Sequence, residues 1–194
     1  MPRIQVQNLT LNLGTKAIFK NFNHIWDGFG LCLLEGKNGA GKSTLLRSIL
    51  DGHPSICVNA TGISFLGHDL GLYGSLTVKE NIDFFCNEFS KEGISDIEEA
   101  LKKWGLWTRR DFPVSALSRG LKQRTAILRS FFTKANIIML DEPVTGLDSE
   151  GKDLFFDQVK RLSNNNLILV VMHDDLEKLK FKQRIRIDGL YEIS

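Results

Sequence analysis

Cysteine is scarce in this chain. Cys32, Cys57 and Cys86 lie far apart with no CxxC spacing, which argues against a disulfide framework or a clustered metal site and suits a reducing compartment. A dominant charge is missing as well. The 25 basic and 23 acidic side chains leave a formal net charge of +2, too mild to point to nucleic acid or to an acidic membrane surface. No apolar run approaches the roughly 18 to 20 residues of a membrane helix. The opening MPRIQVQNLTLNL alternates polar and apolar residues where a secretory leader would show a basic patch followed by an apolar stretch, so no leader is expected. Repeats, low-complexity tracts and long linkers are also lacking. What is present, 42% hydrophobic residues in 194, suffices for one good core. A single domain over residues 1–194, with a subdivision, is expected.

Strand patterns come first along the chain. Ile4 to Leu13 alternates, Gly14-Thr15 reads as a turn, and AIFKNFNHIW alternates again, which predicts an antiparallel hairpin. GLCLLEG is a short continuous apolar run, the mark of a strand buried on both faces. A glycine-rich loop follows it, then a helix, STLLRSIL, ending at Gly52. From Lys79 to Trp107 the pattern turns helical, in two segments parted by Gly93, and suggests a helical insertion. Two more buried-strand runs, NIIML and NLILVVM, flank a helix, EGKDLFFDQVKRL. In the closing RIRIDGLYEI, Asp188-Gly189 predicts a hairpin turn.

The chemistry begins at GKNGAGKST, which matches G-x-x-x-x-G-K-[ST] between a strand and a helix. Gly36 opens the match, and Gly39 and Gly41 let the backbone curl so that N–H groups face phosphate oxygens, while the helix start adds a favourable field. Lys42 is placed to bridge the terminal phosphates and Ser43 to ligate Mg²⁺. The bland alternative is a strand-to-helix turn that holds nothing. A phosphate loop needs a carboxylate on a neighbouring strand, and NIIMLDEP supplies Asp141, with Glu142 beside it as a candidate general base. His173 ends a second buried run, NLILVVMHDD, and could sense the γ-phosphate. ALSRGLKQR reads as a helix start with Ser118 as N-cap, but it carries a glycine, Gly120, and a cation, Arg119, where the helix already presents partial positive charge.

Taken in order, GKNGAGKST, LSRGL, IIMLDEP, TGLD and VVMHD resemble the nucleotide-binding domain of ABC (ATP-binding cassette) ATPases over nearly the whole chain. That resemblance implies an α/β fold of the P-loop NTPase type. It comprises an N-terminal antiparallel β part, a mostly parallel sheet core and a small helical subdomain over about residues 75–130. It implies ATP and Mg²⁺ as cofactors, with Asn38, Ala40 and Thr44 joining Gly36, Gly39, Gly41, Lys42 and Ser43 around the phosphates. Ser43 and Asp141 would hold the metal, Glu142 and His173 would act in catalysis, and Ser118 and Gly120 would touch ATP held by a second copy in a head-to-tail homodimer. Membrane transporter subunits are implied as partners, nucleic acid is not, and the place implied is the cytoplasmic face of the inner membrane.

The chain departs from the family pattern at four points. Arg119 and Leu121 stand where the LSGGQ signature has glycine and glutamine. His68 stands where a glutamine is usual and is carried over as a metal-side residue. Leu13 stands where an aromatic ring usually stacks on adenine, which predicts weak stacking unless Phe19 or another ring substitutes. The family places Asp148 of TGLD on a loop that crosses the dimer interface. The run from Gly52 to His68 is short enough that a peripheral strand is expected to be missing. FLGHDLGLYGSLTVKENIDFF and the approach DFPVSALS are similar to the ATPase subunit of haem exporters in cytochrome c maturation. Aromatic residues of the insertion, Phe84, Phe85, Phe89, Trp104 and Trp107, suit either a contact with a membrane subunit or packing of the subdomain itself. The competing functions are a soluble ABC ATPase in translation or DNA repair and a non-catalytic nucleotide sensor.

Overall fold

The computed structural model describes residues 1–13, 16–89, 94–188 and 191–192. Strands β1 (Arg3–Leu13) and β2 (Lys16–Asp27) form the expected antiparallel pair, and the turn residues 14–15 lie outside the described residues. The phosphate loop joins β3 (Gly30–Glu35) to helix α1 (Lys42–Leu50). The short run after it holds β4 (Ile56–Asn59) and β5 (Ile63–Leu66), each four residues long. Helices α2 (Val78–Phe89) and α3 (Ile94–Lys103) follow, then α4 (Arg119–Phe131). The chain continues through β6 (Ile137–Asp141), α5 (Ser149–Leu162), β7 (Leu167–Val171), β8 (Gln183–Arg186) and β9 (Tyr191–Glu192).

Two sheets result. One has the order β4-β1-β2-β9, and the other, with the order β5-β6-β7-β3-β8, is parallel throughout. The period of two along each strand sorts the parallel sheet's side chains onto two faces. Leu33, Ile138, Leu140, Ile168 and Val170 pack with the helical layer of α2 to α5. Cys32, Leu34, Met139, Leu169 and Val171 pack with α1 and the antiparallel sheet. Because both faces are covered, β6 and β7 are buried at every residue, which explains their uninterrupted apolar runs.

The terminal segment corrects an expectation. RIRIDGLYEI is no hairpin, since β8 pairs in parallel with β3 while β9 pairs with β2 in the other sheet. The open edge of β3 takes Gln183 to Arg186, Ile187 N–H donates to Glu35 O at 2.8 Å, and the Ile187 side chain is buried between the sheets. Tertiary pairing therefore overrides the local turn signal at Asp188-Gly189; residues 189–190 lie outside the described residues.

Candidate active site

The phosphate loop is built from backbone that only glycine takes without strain. Gly36, Gly39 and Gly41 have φ of 147°, 79° and 100°. A Cβ on Gly36 would lie 2.3 Å from Ile187 O and one on Gly41 2.3 Å from Ile18 Cγ2, so both positions are also closed by their neighbours. Gly41 caps α1 in the left-handed region without a side-chain bond, and the first intrahelical bond runs from Leu45 N–H to Gly41 O at 2.8 Å. The N–H groups of Lys42, Ser43 and Thr44 consequently have no intrahelical acceptor and form a cradle for an anion. Lys42 is 6% exposed, and its ammonium donates to Gly36 O at 2.6 Å and Lys37 O at 2.9 Å. That clamp holds the charge under the loop. An open notch of about 660 Å³ borders it, lined by Glu35, Gly36, Lys37, Asn38, His173 and Arg186.

Three strand ends complete this side of the site. β6 and β7 are neighbours with Asp141 opposite Val171, so the acidic pair and the residues after β7 emerge together beside the phosphate loop. Asp141 is 4% exposed, and its Oδ1 is buried with no hydrogen-bond partner among the described residues. Its Oδ2 faces His68 Nε2 at 4.0 Å, and the His68 side chain is largely exposed. Glu142 sits at φ 51°, in the left-handed region that is costly for a residue with a side chain. Its N–H donates to Val171 O at 2.9 Å, extending the β6 pairing by one residue while the turned backbone parts its direction from that of Asp141. His173 Nε2 lies 4.0 Å from Glu142 Oε1. The structure thus places His68 beside Asp141 and His173 beside Glu142, with the two acids adjacent in the chain.

The start of α4 packs against the loop that follows Glu142, with Ser118 and Arg119 exposed. Ser118 caps it in an extended conformation, its Oγ accepting from Leu121 N–H at 3.4 Å, a long bond. Gly120 is explained by proximity, because a Cβ there would come within 3.3 Å of Gly146 O. Asp148 caps α5 by accepting from Gly151 N–H at 3.0 Å and also accepts from Arg124 Nη2 at 2.7 Å. These bonds, the Arg124 one above all, hold its carboxyl below the usual carboxylate value. Burial opposes the charge on Arg124, but hydrogen bonds and attraction from Asp148 and Glu150 outweigh it and raise its pKa.

Several supporting residues carry no sequence motif of their own. Gln123 is buried and donates to Pro143 O at 2.7 Å, fixing the turn that follows Glu142. Arg129 donates to Gly71 O at 3.1 Å and Leu70 O at 3.2 Å, anchoring the loop that presents His68, and stacks 4.5 Å over the Phe85 ring. Their signal in the sequence was a polar side chain at helix positions whose neighbours Ile127, Leu128 and Phe131 are apolar and buried. Phe19 does not serve as a stacking ring: it is 3% exposed and packs against Gly41 and Phe22. The Leu13 and Phe89 side chains lie outside the described residues.

A parallel sheet with a glycine-cradled lysine after β3 and an acidic pair at the carboxyl end of β6, with β7 between the two, defines a nucleoside-triphosphate-binding domain of the P-loop class. The sequence profile of the family described as ABC transporter matches residues 25–145. The chain is 31% identical over 192 residues to the cytochrome c biogenesis ATP-binding export protein CcmA of Aliivibrio fischeri, covering 89% of this chain and 93% of that one. It is 27% identical to the protein of the same description from Pasteurella multocida, over 96% of this chain and 95% of that one. The corresponding Vibrio vulnificus protein is 30% identical, with 89% and 93% covered. The chain belongs to the ABC transporter family, as its ATP-binding subunit, an ATPase coupled to transport.

Proposed function

We propose that the chain is the motor of an exporter serving cytochrome c maturation and that it works as a head-to-tail homodimer bound to separate membrane subunits at the cytoplasmic face. The observation that carries the catalytic reading is the convergence of Lys42, Asp141, Glu142 and His173 at adjacent strand ends. Phosphates rest on the N–H groups at the start of α1, with Asn38, Ala40 and Thr44 completing the cradle and Lys42 supplying the cation. The unpartnered, buried Oδ1 of Asp141 suits a divalent cation better than an apolar surrounding. Mg²⁺, held by Ser43 and Asp141 with His68 beside them, would neutralise phosphate charge when bound. Glu142 accepts a proton from the attacking water as the new bond to γ-phosphorus forms and the bond to the bridging oxygen breaks. His173, facing Glu142, orients that water against the γ-phosphate.

For docking, the structure offers an aromatic group on the helical side. Tyr73 and Phe84 are half exposed, at 50% and 52%, with ring centroids 5.6 Å apart, and Phe85 stands 5.2 Å from Phe84. Beside them a cavity of about 280 Å³ is lined by Phe65, Phe85 and Arg129. Exposed rings in a cluster suit a partner surface. Trp104, by contrast, is 2% exposed and packs the subdomain. Among the described residues no helix is long and apolar enough to cross a membrane. The relatives' description as export proteins favours transport over a role in translation or DNA repair. The test is isolation of the tagged chain from its own membranes together with deletion of its gene. Integral membrane subunits should co-purify and c-type cytochromes should lack covalent haem; normal c-type cytochromes in the deletion strain would overturn the cytochrome c maturation reading.

A further inference from the structure

Arg129, near the end of α4, is 8% exposed, yet among the described residues no carboxylate forms an ion pair with it. A charge buried to that degree ordinarily has an acid beside it. Its terminal nitrogens are spent on carbonyls: Nη1 donates to Gly71 O at 3.1 Å, and Nη2 to Leu70 O at 3.2 Å and Phe65 O at 3.4 Å. Its Nε is buried with no partner among the described residues. Burial pulls the guanidinium pKa below its ordinary value, and attraction from Tyr73 and Asp69 offsets only part of that.

The same side chain lines the cavity of about 280 Å³ between β5 and the end of α4. That volume lies near the lower end of the roughly 300–1,000 Å³ of small-ligand pockets. Ile63 and Phe85 supply apolar surface, and among the described residues no acid lines the cavity. Thr133, also in its wall, accepts from Ala135 N–H at 3.2 Å, which leaves the hydroxyl proton of Thr133 to donate. β5 is the last strand of the parallel sheet, and Gly62 O takes Ile137 N–H at 3.3 Å. Alternation along the strand then turns Phe65 N–H toward the open edge, the side on which Phe65 O meets Arg129. One charged donor and two neutral ones thus border a cavity that is otherwise largely apolar.

We infer that this cavity binds a small apolar carboxylate, its oxygens accepting from Arg129 Nε and the Thr133 hydroxyl and its apolar part lying beside Phe85 and Ile63. The inference stands apart from the homodimer and exporter readings. One guanidinium N–H and one hydroxyl match the two oxygens of a carboxylate, whereas the further oxygens and second charge of a phosphate would be stranded against apolar surface. An occupant supplies the anion that Arg129 lacks within its own chain.

The experiment titrates the full chain with benzoate, with its neutral isostere benzamide and with inorganic phosphate, reading backbone amide shifts by NMR and the thermal unfolding midpoint. Benzoate should shift the amides of Ile63, Phe65 and Thr133 saturably with a Kd below about 10 mM, and benzamide and phosphate should bind at least about tenfold more weakly. The midpoint should rise with benzoate alone. Thr133→Leu fills the cavity and removes the hydroxyl while leaving the carbonyl bonds of Arg129 in place, so it should stay folded and lose at least about tenfold in benzoate affinity. Arg129→Gln should erase the preference for benzoate over benzamide; should that chain fail to fold, Thr133→Leu alone decides. Absence of a saturable shift at these amides up to about 10 mM, or equal binding of benzamide, would overturn the inference. So would phosphate binding as tightly as benzoate, or undiminished benzoate affinity in folded Thr133→Leu.

Discussion

The phosphate loop and the start of α4 are both helix starts that present free N–H groups, but they are built to different standards. Around the loop, Lys42 is 6% exposed and clamped by two carbonyls, and two of the glycines leave no room for a Cβ. At α4, Ser118 and Arg119 are exposed and the capping bond is 3.4 Å long. A group that must meet its ligand within one chain can be fixed by that chain's core. A surface that meets its ligand on another copy has to stay open until the copies come together. On this account the first half of the site is finished by folding and the second by association.

The sharpest break of that contrast is on the preformed side. Glu142→Gln keeps the shape of the side chain but removes the base, so steady-state hydrolysis should fall by about 10² to 10⁴ with ATP still bound. A rate near that of the unsubstituted chain would remove Glu142 from the role. Next in size, Lys42→Ala should weaken ATP binding at least about tenfold, on the order of 1.4 kcal/mol, by calorimetry. Unchanged affinity would show that the loop is not the phosphate site.

The parts legible in the sequence are those where one local rule decides. β3, β6 and β7 were readable because burial on both faces writes an unbroken apolar run, and the phosphate loop because its glycines are required within a few residues of one another. The end of the chain was misread because Asp188-Gly189 is a local signal, whereas the pairing of Gln183 to Arg186 was decided by the open edge of β3, about 150 residues earlier. Gln123, Arg124 and Arg129 showed in the sequence only as polar residues on a helix with buried apolar neighbours, and what they support could not be read there for the same reason. Their acceptors, Pro143 O, Asp148 and Gly71 O, are brought near only by the tertiary fold.

The open side should respond less, and mostly in stability. Arg124→Gln removes a donor from buried Trp104 O and from Asp148, whose side chain is two-thirds exposed and can be solvated instead. A loss of about 1 kcal/mol in urea unfolding is expected. The smallest effect is a dependence on pH. Because Arg124 and the Gly151 N–H depress the Asp148 pKa below its ordinary 3.8, the stability it contributes is complete above that value and is lost as pH falls through the depressed one. Unfolding curves of Asp148→Asn should therefore lie below those of the unsubstituted chain at neutral pH and converge with them well below pH 4. A gap that stays constant down to acid pH would show that the carboxylate's charge is not what matters.

The central claim is that one copy's phosphate loop and another copy's α4 start make one site. It is tested most directly with two differently tagged chains, both in the Glu142→Gln background, one carrying Lys42→Ala and the other Ser118→Arg. Each chain alone carries the same defect in both sites of its homodimer, while a hybrid has one intact site and one doubly defective site. With ATP, capture of one tag should retain the other, and neither mutant alone should associate. If the Glu142→Gln chain dimerises with ATP but the two tags never come down together, or if the Ser118→Arg chain dimerises unhindered on its own, the start of α4 is only a capped helix and the two halves do not form one site.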